Sequence, residues 1–195
     1  MSEVKLIQSK VRDTAKLLKK SREEDAGFDV WLDIPKDFKY KQHSLHSEYE
    51  NAYNEDGNLL IFLHPNEVQT LPTGIRLAID KDYWTDFKHE RGSTGSIGLS
   101  ILSGVVDSGY RGEVFLNIVN LSNNVIAITD KVSQVTWEKL NSESDVLLFP
   151  YEKAIAQMVV QRNYKVENIE MNERDFMNIP SERGINALGS TDVKQ

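Results

Sequence analysis

The sequence predicts an all-β fold, built as a sandwich or barrel, and three observations support this prediction. Short apolar or alternating runs recur along the chain. Pro, Gly and Asn separate these runs, and few stretches show a long helical period. Several short strands divided by turn residues are typical of antiparallel β architectures.

The first half of the chain alternates strand signals with polar connections. Residues 4–7 predict a short opening strand, and the basic segment up to residue 20 predicts a connector. Residues 25–32 alternate small or polar side chains with apolar ones, which is typical of a strand with one solvated face. Residues 35–58 are polar and irregular, so we expect an ordered excursion or a long loop.

Further strand signals run to residue 160. The nearly continuous apolar run at 59–64 predicts a buried strand, and residues 75–79 alternate with period two. The aromatic residues Tyr83, Trp84 and Phe87 are more typical of core or interface packing than of a platform for base stacking. The remaining predicted strands are 68–71, 105–106, 114–119, 125–128, 132–140, 146–152 and 154–160.

Composition excludes several classes of function. The 195 residues include no cysteine, which removes disulfides, zinc-thiolate sites and thiol catalysis. The net charge of −7 argues against binding to duplex nucleic acid, which depends on Lys and Arg displacing counterions. A small polyphosphate remains possible, because a few placed cations and N–H groups hold it. Without a run of about 20 apolar residues or a secretion signal, we expect a cytoplasmic protein with no membrane partner.

Asp107 is the first candidate for chemistry, and it lies within the glycine-bracketed stretch 104–113. Residues 105–106 favour a strand, residues 108–109 suit the positive φ of a turn, and residues 114–119 predict the returning strand of a β-hairpin. A carboxylate at the end of a buried strand is costly unless it is paired or used. The alternative for a lone Asp at this place is a turn-capping role.

Two segments carry the groups that bind phosphate. Residues 91–95 place an arginine and two hydroxyls between glycines, and residues 183–191 repeat this design. An arginine, hydroxyl donors and N–H groups freed by glycine suit phosphate oxygens. Each segment alone is equally typical of an ordinary loop or a frayed terminus. The second segment could fold over a polyphosphate and exclude water from it.

Four further polar residues have open interpretations. Asp29 is a second placed carboxylate within a predicted strand. Gln157 interrupts an apolar strand, so it either ties the core together or faces a site. His43 and His46 are three residues apart, and we interpret them as a solvated pair because no third metal ligand is identifiable.

Taken together, these stretches resemble the five motifs of the trimeric dUTPases, in a style similar to versions from Gram-positive bacteria and their phages. The preceding residues 71–75, Leu-Pro-Thr-Gly-Ile, are also typical of that family. The five motifs are residues 26–30, 91–95, 104–113, 154–159 and 183–191.

The resemblance implies a jelly-roll-like β fold, a homotrimer and a swapped C-terminal arm. Residues 1–175 would form the β domain and residues 176–195 the flexible arm. The implied activity is hydrolysis of dUTP to dUMP and pyrophosphate with Mg²⁺, at a site assembled on a subunit boundary and closed by the arm.

The resemblance also implies individual roles. Asp107 would orient and deprotonate the water that attacks the α-phosphorus. Tyr110 would stack beneath the deoxyribose and leave no room for a 2′-hydroxyl. Asp29 would lie in the outer ligand shell of a magnesium ion carried by the triphosphate. The other residues implied in substrate binding are Arg91, Gly92, Ser93, Thr94, Val106, Arg111, Gln157, Arg183, Leu188, Gly189, Ser190 and Thr191.

Three departures from the family pattern concern phosphate and lid contacts. Gly92 stands where serine usually follows the arginine, which leaves Ser93 and Thr94 as alternative phosphate ligands. Ala187-Leu188 replaces Gly-Phe, which forfeits about 0.5–1.5 kcal/mol of stacking over the base. Asp192 replaces a common glycine. We therefore expect weaker lid closure, which lowers affinity more than the chemical step.

Two other functions compete with dUTP hydrolysis. The sister dCTP deaminases use a glutamate on the returning strand, whereas position 117 here is Asn117, which cannot act as a general base. Deamination is therefore disfavoured. The third possibility is a regulatory protein that keeps the nucleotide pocket and signals to a protein partner, with residues 35–58 as a natural contact surface.

Overall fold

The computed structural model consists mainly of β-strands and divides into two compact units, residues 1–163 and 164–195. It describes residues 4–41, 49–102, 104–132, 146–182 and 184, with only the backbone described at 88–90. The predicted strand at 132–140 lies outside these residues except for residue 132. His43 and His46 lie entirely outside them.

Ten of the described strands of the first unit overlap predicted strands, four were not predicted, and one helical turn lies among them. They are β1 Leu6–Lys10, β2 Phe28–Val30, β3 Lys39–Lys41, β4 Tyr49–Asn51, β5 Leu60–Leu63, β6 Val68–Pro72, β7 Ile75–Ile79, β8 Tyr83–Glu90, α1 Gly92–Gly95, β9 Leu99–Leu102, β10 Val105–Val106, β11 Phe115–Asn120, β12 Val125–Thr129, β13 Val146–Pro150 and β14 Ala156–Arg162.

These strands form five sheets around a common apolar core. Their orders are β10-β8-β14-β2, β6-β11-β9, β13-β12-β5, β1-β7 and β3-β4. Strand β7 buries alternate residues, as its period-two pattern predicts, whereas β5 is buried more continuously. Phe87 and Phe149 are among the largest fully buried side chains, so Phe87 packs in the core as predicted.

The predicted hairpin around Asp107 is wrong in its pairing. Strand β11 pairs with β9 and β6, whereas β10 leaves that sheet and pairs with β8. The crossing occurs at buried Gly104, whose carbonyl accepts a hydrogen bond of 2.8 Å from the Phe87 N–H. Residues 104–113 therefore link two sheets rather than forming the tip of one ribbon.

The excursion at 35–58 contains the small β3-β4 ribbon. Tyr40 of β3 is buried, and its hydroxyl lies 3.3 Å from the Glu50 carboxylate. Gln69 donates a 2.5 Å hydrogen bond to the Lys41 carbonyl, which ties the ribbon to β6. Partly buried polar contacts thus hold the ribbon within the described part of the excursion.

The second unit contains α2, Glu173–Met177, where the sequence predicts only a polar tail. Asn172 caps this helix by accepting a hydrogen bond of 3.0 Å from the Asp175 N–H. None of the residues in α2 is buried. No described helix of either unit has the length and apolar character needed to span a membrane.

Candidate functional site

Asp29 is the centre of an ionic cluster that joins three of the sequence motifs. Its Oδ2 lies 2.9 Å from Arg91 Nη1 and accepts a hydrogen bond of 3.2 Å from the Ser21 hydroxyl. Its Oδ1 accepts from Gln157 Nε2 at 3.4 Å. Asp29 is only 5% exposed, and a buried carboxylate requires such partners.

Strand register explains why these residues meet. Gln157 of β14 lies directly opposite Asp29 of β2, and Arg91 follows the end of β8, the other neighbour of β14. The β8-β14 register shifts between Gln157 and Val159, and such irregularities redirect side chains. Gly27 leaves the space that the Gln157 side chain fills, because a Cβ at residue 27 would lie 3.1 Å from the Gln157 Cβ.

The two hydroxyls after Arg91 have different environments. The segment predicted as a loop forms the single turn α1, in which the Thr94 and Gly95 N–H groups both donate to the Arg91 carbonyl. Thr94 is fully buried, and its Oγ1 has no hydrogen-bond partner among the described residues. Ser93 is partly exposed and Gly92 is exposed. Ser93 is therefore the more accessible hydroxyl.

A cavity of about 590 Å³ opens beside the Asp29–Arg91 pair. Basic side chains outnumber acidic ones on its wall, and two of them, Lys16 and Lys19, lie 5.7 and 5.6 Å from the centre of the Trp31 ring. This charge balance favours an anionic ligand. Sequence reasoning missed Lys16, Lys19 and Trp31, although the basic segment before the first motif and the aromatic residue directly after it were the available signals.

The Asp107 carboxylate lies in a different place. The residue is exposed, so the prediction that it ends a buried strand is wrong, because Val105 of β10 is itself 68% exposed. A hydrogen bond of 3.0 Å from the Tyr110 N–H to the Asp107 carbonyl closes the turn. Positive φ is absent from Ser108 and Gly109, contrary to the sequence prediction.

Arg111 and Tyr110 stabilise this turn. Arg111 Nη1 donates to the Ser108 and Tyr110 carbonyls at 2.6 and 2.8 Å, so its charged group is engaged within the turn. The Tyr110 hydroxyl donates to the Glu113 carbonyl at 2.8 Å. A cavity of about 250 Å³ is lined by Val106, Asp107, Tyr110 and their neighbours.

The two parts of the candidate site are far apart within one chain. Val106 pairs with Thr85 near the start of β8, whereas Arg91 follows its last residue. At about 3.4 Å per residue, the Asp107 and Arg91 backbones are separated by roughly 20 Å. One protomer therefore does not bring the Asp107 carboxylate to the Arg91 cluster.

Comparison with known sequences finds relatives that match less than half of this chain. No family model matches the chain. A deoxyuridine 5′-triphosphate nucleotidohydrolase of Finegoldia magna is 34% identical over 92 residues, covering 45% of this chain and 62% of the relative. The corresponding enzyme of Bdellovibrio bacteriovorus is 31% identical over 97 residues, covering 44% of this chain and 65% of the relative. The chain thus spans less than two thirds of either relative.

Solved structures match over nearly the full length of the chain. A mutant dUTPase of Staphylococcus bacteriophage 80alpha with dUpNHpp has a TM-score of 0.64 at 19% identity, covering 96% of this chain and 98% of that chain. A mutant dUTPase of phage phi11 of S. aureus, described with a structural Mg(II) ion, has a TM-score of 0.57 at 16% identity, covering 88% and 99%. The chain is therefore similar in sequence to dUTPases over part of its length and has the jelly-roll fold of the dUTPase structures.

The described residues include only some of the sequence motifs that resemble those of the dUTPases. The structure brings together Asp29, Arg91 and Gln157, and it places Asp107, Val106 and Tyr110 at a second location. The dUTPase fifth motif, with Arg183, Leu188, Gly189, Ser190 and Thr191, lies outside the described residues, as do Ala187 and Asp192.

The residue at position 117 distinguishes dUTP hydrolysis from the deaminase alternative. Asn117 lies on β11, and its Oδ1 accepts a hydrogen bond of 2.7 Å from the Thr70 hydroxyl. An amide engaged in this way does not accept a proton from water at neutral pH. Strand β11, residues 115–120, contains no glutamate that could take the place of Asn117.

The described side chains of the candidate site fit a magnesium ion that is carried by a bound phosphate ligand. Among the described residues, no group of three or more His, Asp or Glu side chains could hold a metal. Mg²⁺ is commonly bound through substrate phosphates and one or two carboxylates, with water completing its shell. Asp29 and Glu152 are the carboxylates that line the cavity of about 590 Å³, and Asp29 is the one beside Arg91.

Proposed function

We propose that this protein hydrolyses dUTP to dUMP and pyrophosphate at a site shared between copies of a homotrimer. The observation that carries the proposal is the separation of roughly 20 Å between Asp107 and Arg91 along β8. A general base must lie within about 3 Å of the water it activates. Asp107 therefore acts on a phosphate that Arg91 of a neighbouring copy holds.

Exposed apolar side chains around Asp107 support association between copies. Val105 and Phe115, which line the same cavity as Asp107, are 68 and 45% exposed. Neighbouring exposed apolar residues mark interaction surfaces. The second unit adds exposed Val166, Ile169, Met171, Phe176, Met177 and Ile179, which fits a C-terminal arm that docks on another subunit.

The roles follow from the environment of each side chain. Asp107 is exposed and accepts a proton from the attacking water, which contributes about 10²- to 10⁴-fold to the rate. Arg91 and Ser93 hold phosphate oxygens, while Asp29 fixes the Arg91 guanidinium and Gln157 donates to Asp29. Tyr110 forms the wall against which the deoxyribose packs. Bound Mg²⁺ would neutralise the charge that develops on the triphosphate.

The first experiment measures the reaction itself. The full chain is incubated with Mg²⁺ and dUTP, dCTP or dTTP, and pyrophosphate and ammonia are measured. Pyrophosphate from dUTP alone supports the proposal. Ammonia from dCTP would indicate a deaminase, and nucleotide binding without turnover would indicate a regulatory protein.

A second experiment tests the shared site. Asp107→Asn and Arg91→Ala chains with different tags are co-expressed, and assemblies carrying both tags are purified. Each variant alone is expected to be inactive, but a mixed trimer contains one intact site in three, giving about one third of wild-type activity. Mixed assemblies of Asp107→Asn and Asp107→Ala are the control and stay inactive. Absence of rescue in the first mixture would exclude a shared site.

A further inference from the structure

Arg12 joins two acidic residues that lie far from it in the sequence. Its Nε donates to Asp33 Oδ2 at 2.6 Å, and its Nη2 donates to the Asp33 carbonyl at 2.9 Å. Its Nη1 and Nη2 donate to the two carboxylate oxygens of Glu113 at 3.1 and 2.5 Å. A guanidinium that binds a carboxylate through two parallel bonds fixes its orientation.

Gly74 encloses this group from the other side. Its N–H donates to Glu113 Oε1 at 2.8 Å, and its φ is +70°, which favours glycine. A Cβ at residue 74 would overlap the side chains of Asp33 and Ala15. The Glu113 carboxylate is therefore held by one guanidinium and one backbone N–H.

Glu113 is linked to the turn that carries Asp107. Its carbonyl accepts the hydrogen bond of the Tyr110 hydroxyl at 2.8 Å, and the Tyr110 N–H donates to the Asp107 carbonyl at 3.0 Å. A Cβ at Gly112 would overlap the Tyr110 ring and hydroxyl, so this close approach requires glycine. Arg12 is thus connected to Asp107 through Glu113 and Tyr110, by hydrogen bonds between the side chains and the backbone of this segment.

The Tyr110 ring depends on this link for its orientation. The residue is 45% exposed and lines the smaller cavity, so core packing covers only part of the ring. Its hydroxyl is anchored to the backbone of the residue whose side chain Arg12 holds. If Glu113 shifts, the ring and the turn shift with it.

We propose that Arg12 and Glu113 are a positioning pair that sets the place of the Tyr110 ring, and through it the ability of the site to reject a ribose 2′-hydroxyl. The inference rests on the proposed function, because it concerns the same substrate wall. Neither residue touches the nucleotide. Their effect is transmitted through the Tyr110 hydrogen bond and the Asp107 turn.

The central variant is Glu113→Gln, which keeps the side-chain size but removes the charged, two-bond contact with Arg12. The measured quantity is kcat/KM for dUTP divided by kcat/KM for UTP. We expect this ratio to fall about tenfold, because a displacement of the order of 1 Å in a positioned group can cost up to about 10²-fold. Tyr110→Phe, which removes the anchoring hydroxyl, is expected to lower the ratio in the same way.

A matched control separates positioning from general stability. Glu67→Gln changes another largely buried glutamate, whose carboxylate accepts hydrogen bonds from the His64 N–H and Gln69 Nε2. It is expected to lower the melting temperature without changing the dUTP/UTP ratio. Arg12→Lys keeps the charge without the two-bond geometry, so its ratio should lie between those of the wild type and Glu113→Gln.

Hydrogen exchange provides a readout that does not require turnover. Glu113→Gln is expected to speed exchange of the Tyr110 N–H, while Glu67→Gln leaves it unchanged. If the wild-type protein does not hydrolyse dUTP, the proposed function fails, and the exchange result still tests the positioning pair. If the wild type is active and Glu113→Gln changes neither the exchange rate nor the dUTP/UTP ratio, the positioning pair is excluded.

Discussion

Arg91 Nη1 lies 2.9 Å from Asp29 Oδ2, although Asp29 lies on β2 and Arg91 follows the end of β8, on the other side of β14. Gln157 occupies the strand between them and donates to the other oxygen of the same carboxylate. The Arg91 side chain is 32% exposed and lines the cavity of about 590 Å³. Asp29 therefore orients a cation at the wall of this cavity, where guanidinium donors suit phosphate oxygens.

Asp29→Asn tests this arrangement. The amide removes the negative charge that holds Arg91, so we expect a lower kcat/KM for dUTP and a loss of about 1–2 kcal/mol in the free energy of unfolding. Steady-state kinetics and urea unfolding measure the two effects. Asp25→Asn, at a side chain that caps the nearby Arg22 N–H, is the control and should retain both activity and most stability. Equal behaviour of the two variants would contradict the role of Asp29.

Asp107→Asn tests the proposed base. The turn is closed by backbone and Arg111 hydrogen bonds, so the substitution should leave the fold intact while removing the proton acceptor. We expect hydrolysis to fall by about 10²- to 10⁴-fold with nucleotide affinity retained. Pyrophosphate release and calorimetric binding of a non-hydrolysable dUTP analogue measure these effects. Unchanged turnover would remove Asp107 from the mechanism.

Ser93→Ala and Thr94→Val decide which hydroxyl holds phosphate. Ser93 is partly exposed, so its loss should raise KM for dUTP. The buried Thr94 hydroxyl lacks a described partner, and Thr94→Val replaces it with a methyl group of similar size. We expect unchanged kinetics and a gain of up to about 1 kcal/mol in unfolding free energy. Loss of activity in Thr94→Val with Ser93→Ala unaffected would reverse the assignment.

The raised pKa values of two tyrosines lead us to expect that the free energy of unfolding falls at alkaline pH. Burial raises the pKa of Tyr151 to about 12, and burial likewise raises the pKa of Tyr40 to about 12. An unfolded tyrosine ionises near about 10, so the unfolded state loses protons first. Stability is therefore complete below about pH 10 and falls as pH rises towards about 12.

Urea unfolding at increasing alkaline pH measures this limit. Tyr151→Phe should make the decline shallower, although it also removes the acceptor of the Ile34 N–H and lowers stability at neutral pH. Tyr49→Phe, at a ring that is 66% exposed, is the control and should leave the slope unchanged. A stability that stays constant between about pH 10 and 12 would contradict the burial argument.

Most strand positions followed from local sequence patterns. The predictions at 59–64, 68–71 and 75–79 match β5, β6 and β7 within a few residues. Six of the described elements were missed, namely the strands β3, β4, β8 and β9 and the helices α1 and α2. The turn α1 is too short for a periodic signal, and the signal for α2 is a single Asn172 cap before polar residues.

The pairing of β10 required long-range information. Val105 and Val106 favour a strand in any sheet, and the glycine-rich turn after them suggested a hairpin with the next apolar run. The observed partner is β8, because Gly104 crosses between sheets and binds the Phe87 N–H. Local propensity does not specify which distant edge a two-residue strand joins.

The amino-acid sequence by itself determined the β character of this chain, the turn that carries Asp107 and the residue types suited to phosphate. These properties depend on neighbours in the chain, through side-chain alternation and glycine turns. Only the tertiary structure decided that Asp29, Arg91 and Gln157 meet, that Arg12 supports Glu113, and that Asp107 lies at the opposite end of β8. Strand order and register set these distances, and they arise from packing between residues far apart in sequence.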